Sequence, residues 1–119
     1  AGKVRNTPVT IGGTTWKPDL PIESVIKEEL EEIFNKELND VDRAIEILLY
    51  TMKKQVFIDG NKRTAVIYSN HYLISKGKGI IAIPAELTQE FKDLLIPYYE
   101  GKDEDKIREF IKEKCYMEI

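Results

Sequence analysis

Residues 57–65, Phe57-Ile58-Asp59-Gly60-Asn61-Lys62-Arg63-Thr64-Ala65, stand between two stretches of helical apolar periodicity. Gly60 permits backbone angles that other residues resist and lets a ligand come close to the main chain. Asn61 occupies an N-cap position, and the helix behind it offers unpaired N–H groups and the positive end of its dipole, a ready anion site. Lys62 and Arg63 place two cations in the first turn, where they disfavour the helix itself. A bound di- or triphosphate would relieve that misfit. Asp59, beside such phosphates, would suit magnesium, which takes one or two carboxylates plus phosphate oxygens. Turn chemistry by itself favours a plainer outcome, an ordinary helix–loop–helix with a solvated Asp-Gly-Asn turn. The spacing is neither a Walker phosphate loop nor an EF-hand. The residues alone stop at a candidate anion site.

Outward from this stretch the chain reads as mainly α. Asn39 or Asp40 caps a helix over about 41–54, with Val41, Ala44, Ile45, Leu48, Leu49 and Met52 inward. The helix after the stretch runs from Asn61 or Lys62 to Lys76 and is ended by Gly77. Residues 22–38 form an earlier amphipathic helix with acidic residues on its outer side. Ile80-Ile81-Ala82-Ile83 reads as either a short strand or a buried linker. Two further helices, about 86–96 and 103–115, are separated by Pro97 and Gly101. At the front, Val9-Thr10-Ile11 and Thr14-Thr15-Trp16 flank Gly12-Gly13, a hairpin signal closed off by Pro18 and Pro21. The expected fold class is a helical core with a small N-terminal β-hairpin. It forms one domain over 1–119, the hairpin in 1–21 and the helical core in 22–119.

With 119 residues, 42% hydrophobic and 33% charged, the chain has the composition of a single globular domain and excludes disordered or collagen-like classes. Eighteen basic against 21 acidic side chains leave a net charge of −3. No basic stripe is present, so a nucleic-acid partner is not expected and any phosphate needs a local site. No apolar run is long enough to span a bilayer, and residues 1–5 lack the apolar core of a signal peptide, so no membrane partner is expected. A single cysteine, Cys115, excludes an internal disulfide and suits a cytoplasmic location. By default it is a half-buried, inert thiol.

The run FIDGNKRTA at 57–65 resembles the signature of the Fic/Doc family, H-x-F-x-[DE]-G-N-[GK]-R, in the G-N-K-R form of its Doc branch. The front segment agrees, since V-R-x-x-x-V-x-I-x-G followed by P-x-x-P and an amphipathic helix looks like the family's flap and the helix after it. The likeness covers about residues 4–77. It implies a helical core that binds ATP and magnesium and transfers AMP, or in the Doc branch a phosphoryl group, to a Ser, Thr or Tyr hydroxyl of a target protein. Asp59 would bind magnesium, Gly60, Asn61 and Lys62 would line the anion hole, and Arg63 would pair a β- or γ-phosphate in bidentate fashion. Phe57 would anchor the loop in the core, and the hairpin would dock the target by strand addition.

The sequence departs from that pattern at informative places. Gln55 stands where the family has the histidine that accepts the proton of the attacking hydroxyl. An amide has no basicity near neutral pH, whereas imidazole titrates at about 6.5. Loss of a general base costs on the order of 10²–10⁴ in rate. The expectation is an impaired transferase or, alternatively, an inactive module that binds nucleotide or a protein partner. Gln55 is either native or an introduced change. His71, about 15 Å farther along the helix, reads as a packing or surface residue and not as a substitute base. Lys62 in place of glycine and Val66 in place of a second arginine both weigh against AMP transfer. The inhibitory pattern [ST]-x-x-x-E-[GN] is only begun by Ser24 and Glu28, so inhibition would come from another chain, an antitoxin, or from a segment outside this sequence. Family members usually carry a helix before the flap, so this chain can be a fragment of a longer one. Trp16 reads as a packing anchor, and Tyr98, Tyr99 and Tyr116 as the edge of the core.

Overall fold

The computed structural model describes residues 5, 8, 9, 11, 14–18, 20–54 and 61–118. Its elements are helices α1 (Glu23–Asn35), α2 (Asp40–Lys54) and α3 (Asn61–Ser75), strand β1 (Ile80–Ile81), a 3₁₀ turn (Ala85–Leu87), helices α4 (Thr88–Tyr99) and α5 (Glu104–Phe110), a π-helical extension (Ile111–Cys115), and strand β2 (Tyr116–Met117). The protein is mainly α with one small antiparallel sheet.

Helix α2 is the axis of the core. Ala44, Ile45, Ile47, Leu48, Leu49, Thr51 and Met52 are all buried along it, so it is covered on most sides. Its start follows from local chemistry: the Asp42 N–H donates to Asn39 Oδ1 at 2.8 Å, and Asn39 Nδ2 returns a bond to Asp42 Oδ2 at 3.0 Å. This reciprocal cap satisfies one of the orphan donors of the helix start. Arg43, one residue on, turns back to α1. Its guanidinium donates to the carbonyls of Ile33 (2.6 Å), Phe34 (2.8 Å), Lys36 (2.9 Å) and Leu38 (3.0 Å). The carbonyls at the end of α1 and just beyond it are thereby held by the first turn of α2, and α1 ends at Asn35 where the pattern of apolar residues alone suggests 38.

Helix α3 packs antiparallel on α2 through Asn61, Ala65, Ser69 and Leu73, all buried at four-residue spacing. The small side chains at 65 and 69 allow the two backbones a close approach. Its end matches the sequence signal: Gly77 has φ +67°, the Gly77 N–H bonds Ile74 O and the Lys78 N–H bonds Leu73 O, both at 3.0 Å. This is the pairing of a left-handed glycine cap. Gly79 then passes so close to β2 that an added Cβ would lie 2.1 Å from Met117 O. β1 pairs antiparallel with β2, Ile80 opposite Met117 and Ile81 opposite Tyr116.

Two expectations change here, at Pro97 and Cys115, and the front hairpin falls partly outside the described residues. The small sheet joins Ile80–Ile81 to the end of the chain. At the front, Gly12 and Gly13 lie outside the described residues, and Val9, Ile11 and Thr14 to Trp16 carry no strand pairing. That segment is instead held by side chains: Trp16 stacks on Tyr99 with centroids 5.3 Å apart, and Thr14 Oγ1 donates to Glu100 at 2.6 Å. The packing role expected of Trp16 is thus seen. Pro97 is not a boundary between helices but lies within α4, where Tyr98 and Tyr99 continue the helix because both are buried. In the last turn a proline forfeits one backbone bond, and burial of two tyrosines outweighs it. Finally, Cys115 is buried rather than half-buried, and burial raises its thiol pKa.

Candidate functional site

Gln55, Phe57, Asp59 and Gly60 lie outside the described residues. What the structure shows of the candidate site is the end of α2 and the start of α3. As the sequence suggests, α3 begins at Asn61, which is buried. Lys62 and Arg63 follow as exposed residues, and no acidic side chain stands in the first turn. Lys62 Nζ sits 5.8 Å from the centroid of the Phe91 ring, a cation–π contact that ties it to α4. Arg63 makes neither an ion pair nor a hydrogen bond with any described residue. Val66, one turn on, is partly buried and packed against the core.

The facing end of α2 is also cationic. Lys53 Nζ lies over the rings of Trp16 (5.7 Å) and Tyr98 (5.4 Å). Lys54 pairs with Glu29 at 3.0 Å. Arg5, buried in the protein, donates to the Lys54 carbonyl at 3.4 Å, near the upper limit for a hydrogen bond. Burial holds its guanidinium pKa below the usual value. A cation at that carbonyl complements the negative end of the α2 dipole. Arg5, Lys53 and Lys54 at the end of α2, and Lys62 and Arg63 at the start of α3, thus make these two helix ends cationic in a chain whose net charge is negative. Lys53 and Lys54 are engaged in structural contacts, while Arg63 is exposed and without an ion-pair partner among the described residues.

The role of Arg5 does not follow from periodicity. The only local signal is an arginine beside Val4 in an otherwise apolar and threonine-rich front segment. His71 is exposed and far down α3, away from the helix start. Ser24 and Glu28 are both exposed on α1 and form part of its solvated face.

The positive end of the α3 dipole and the exposed guanidinium of Arg63 are features that favour an anion at the start of α3. For magnesium, the carboxylate in question, Asp59, lies outside the described residues. Among the described residues no three His, Cys, Asp or Glu side chains gather to hold a metal ion.

A separate cavity of about 200 Å³ lies between α1, α2 and α5, lined by Glu29, Glu32, Ile33, Lys36, Glu46, Tyr50, Tyr98 and Arg108. Three carboxylates against two cations make it a poor phosphate site. Arg108 and Glu46 pair across it, Nε to Oε1 at 2.8 Å. No described helix is long and apolar enough to cross a membrane. In comparisons with known proteins, no family model matches this chain and no curated protein matches it.

Proposed function

We propose that this chain is a Fic/Doc-like domain that uses ATP and magnesium to modify a hydroxyl of a target protein, at a rate limited by Gln55. The observation that supports this reading best is Arg63: exposed, without an ion-pair partner among the described residues, and set in the first turn of α3, two residues after the Asp-Gly-Asn run. A cation there is unfavourable to the helix and favourable to a phosphate bound at the helix start.

In this reading Asn61 and the N–H groups of the first α3 turn receive phosphate oxygens, and Arg63 clamps a β- or γ-phosphate. Asp59 would hold magnesium, which when bound neutralises phosphate charge. Lys62 and the inward-packed Val66 favour phosphoryl over AMP transfer. The target's oxygen then bonds the γ-phosphorus, the bond to the β-phosphate oxygen breaks, and ADP leaves. The hydroxyl proton goes to solvent, because the Gln55 amide cannot accept it. The target segment would dock near Gly12-Gly13, and an antitoxin chain would hold the domain off. Gln55 also supports a second reading, an inactive module that keeps the anion site and binds a nucleotide or a partner.

Calorimetry of ATP with magnesium, on this chain and on Arg63→Ala, tests the proposal. Binding that Arg63→Ala abolishes supports the clamp. Absence of binding to the unaltered chain overturns it.

A further inference from the structure

A groove runs along the seam between α1 and the end of α2. Leu20, Pro21, Ile22, Val25 and Ile26 form its apolar wall, the Glu29–Lys54 pair completes the lining, and the recess measures about 130 Å³. Leu20, Ile22 and Val25 are 49%, 60% and 41% exposed, and no described residue covers them. Apolar side chains exposed singly are ordinary, whereas three gathered round one recess mark a contact surface. An apolar cavity of about 150 Å³ holds benzene, so this recess is in the size range of one aliphatic side chain.

The charge beside this groove is one-sided. Helix α1 carries five glutamates against one lysine. Val25, Glu28, Glu29 and Glu32 share one side of it, at the three- and four-residue spacing of a common face, and Lys27 lies on another. That side borders α2: the Tyr50 hydroxyl donates to Glu29 at 3.0 Å. Burial, the bond to and charge of Glu29, and the charge of Glu32 hold the Tyr50 phenol above its usual range. Glu29 is neutralised by Lys54, whereas Glu28 and Glu32 are exposed and in no ion pair with a described residue. Lys36, which caps α1, makes no ion pair with Glu32.

We infer that this groove docks a segment of a partner protein that carries one aliphatic side chain with lysine or arginine close to it. The aliphatic side chain fills the recess at Ile22 and Val25, and the cations meet Glu28 and Glu32. From Val25 the first glutamate lies about 4.5 Å along the helix axis and the second about 10 Å. An extended segment covers those distances in one to three residues, so cations at the first and third positions after the anchor are the ones that reach. The contact is small beside the roughly 800 Å² per partner of a standard interface, so binding is weak. The groove borders Lys54, which leads into Gln55, and under the transferase reading the docked segment belongs to the target. The docking stands without that reading, and titration without nucleotide tests it alone.

The probes are three capped peptides: one with a central leucine and lysines at the first and third positions after it, one with glutamates in place of the lysines, and one with alanine in place of the leucine. Titrated into the unaltered chain and followed by backbone amide shifts, the leucine–lysine peptide should perturb Ile22, Val25, Glu28 and Glu32, less so at high salt. The glutamate peptide should not bind, and the alanine peptide should bind about tenfold more weakly. Glu28→Lys combined with Glu32→Lys should weaken the leucine–lysine peptide at least about tenfold. Val25→Ser should weaken it several-fold with the salt dependence kept. These positions are exposed, and unchanged circular dichroism and urea midpoints will show that the variants fold. No binding of the leucine–lysine peptide up to millimolar concentration, equal binding of the glutamate peptide, or an affinity untouched by the paired charge reversal overturns the inference. Shifts at the groove that follow protein concentration alone would assign it to a second copy and overturn it too.

Discussion

Asn70 and Ile81 exchange two hydrogen bonds: the Asn70 amide donates to Ile81 O at 2.8 Å, and Ile81 N–H donates to Asn70 Oδ1 at 2.7 Å. On that edge of β1 a helix side chain does what a third strand would do, and it locks the sheet onto α3. Asn70→Ala leaves both Ile81 groups unpaired next to a fully buried side chain. Unfolding in urea should show a loss of about 2 kcal/mol, with an unchanged m-value.

Arg43 gathers four carbonyls at the end of α1 and in the turn after it. Lysine carries the charge but not the planar fork, so it cannot reach all four at once. Arg43→Lys should therefore lower stability by about 1–2 kcal/mol and Arg43→Met by more, since a hydrogen bond to a charged group contributes about 1.5–3 kcal/mol net and exposed ones less. Denaturant melts of the pair decide it. Equal stability of the lysine variant and the unaltered chain would show that the fork geometry contributes nothing.

Tyr98 titrates late. Its phenol is pushed up to about 12, first by burial and then by the nearby Glu46. The folded state holds the proton more tightly than the unfolded chain, whose tyrosines lose it at about 10. Stability from this group is fully present below pH 10 and is lost as pH rises toward 12. Absorbance at alkaline pH should show a late-ionising tyrosine that Tyr98→Phe removes, and Tyr98→Phe should flatten the alkaline loss of stability.

Gln55→His should raise target labelling by on the order of 10²–10⁴ if transfer chemistry survives in the domain. The measurement is incorporation from labelled ATP into a co-expressed protein extract, beside the Arg63→Ala background. No labelling in the histidine variant, with nucleotide still bound, would favour the inactive module.

Much of the helical layout is legible in the sequence, because its signals are local. Asn39 and Asp42 sit three apart and cap each other; Gly77 stops α3 because its own backbone turns left-handed; Asn61 opens α3 where the polar run ends. The candidate site is half legible in the same way: Lys62 and Arg63 stand in the first helical turn as the sequence implies. Gln55, Asp59 and Gly60 remain readings of sequence alone.

The rest depended on which distant segments meet, and no local pattern encodes that. Ile80–Ile81 is ambiguous by itself and becomes a strand because Tyr116 and Met117, more than thirty residues later, supply its partner. Thr14 to Trp16 carry β-branched and aromatic residues suited to a strand, yet a ring stack with Tyr99 and a bond to Glu100 hold them instead. Pro97 reads as a boundary until the burial of Tyr98 and Tyr99 outweighs one lost backbone bond. Arg5 carries no local signal of its place, and the fold buries it at the end of α2. Sequence by itself determined the helices and their caps, through interactions spanning a few residues. Tertiary packing decided the sheet, the path of the front segment and the placing of Arg5 at the end of α2, because those follow from burial shared between segments far from one another along the chain.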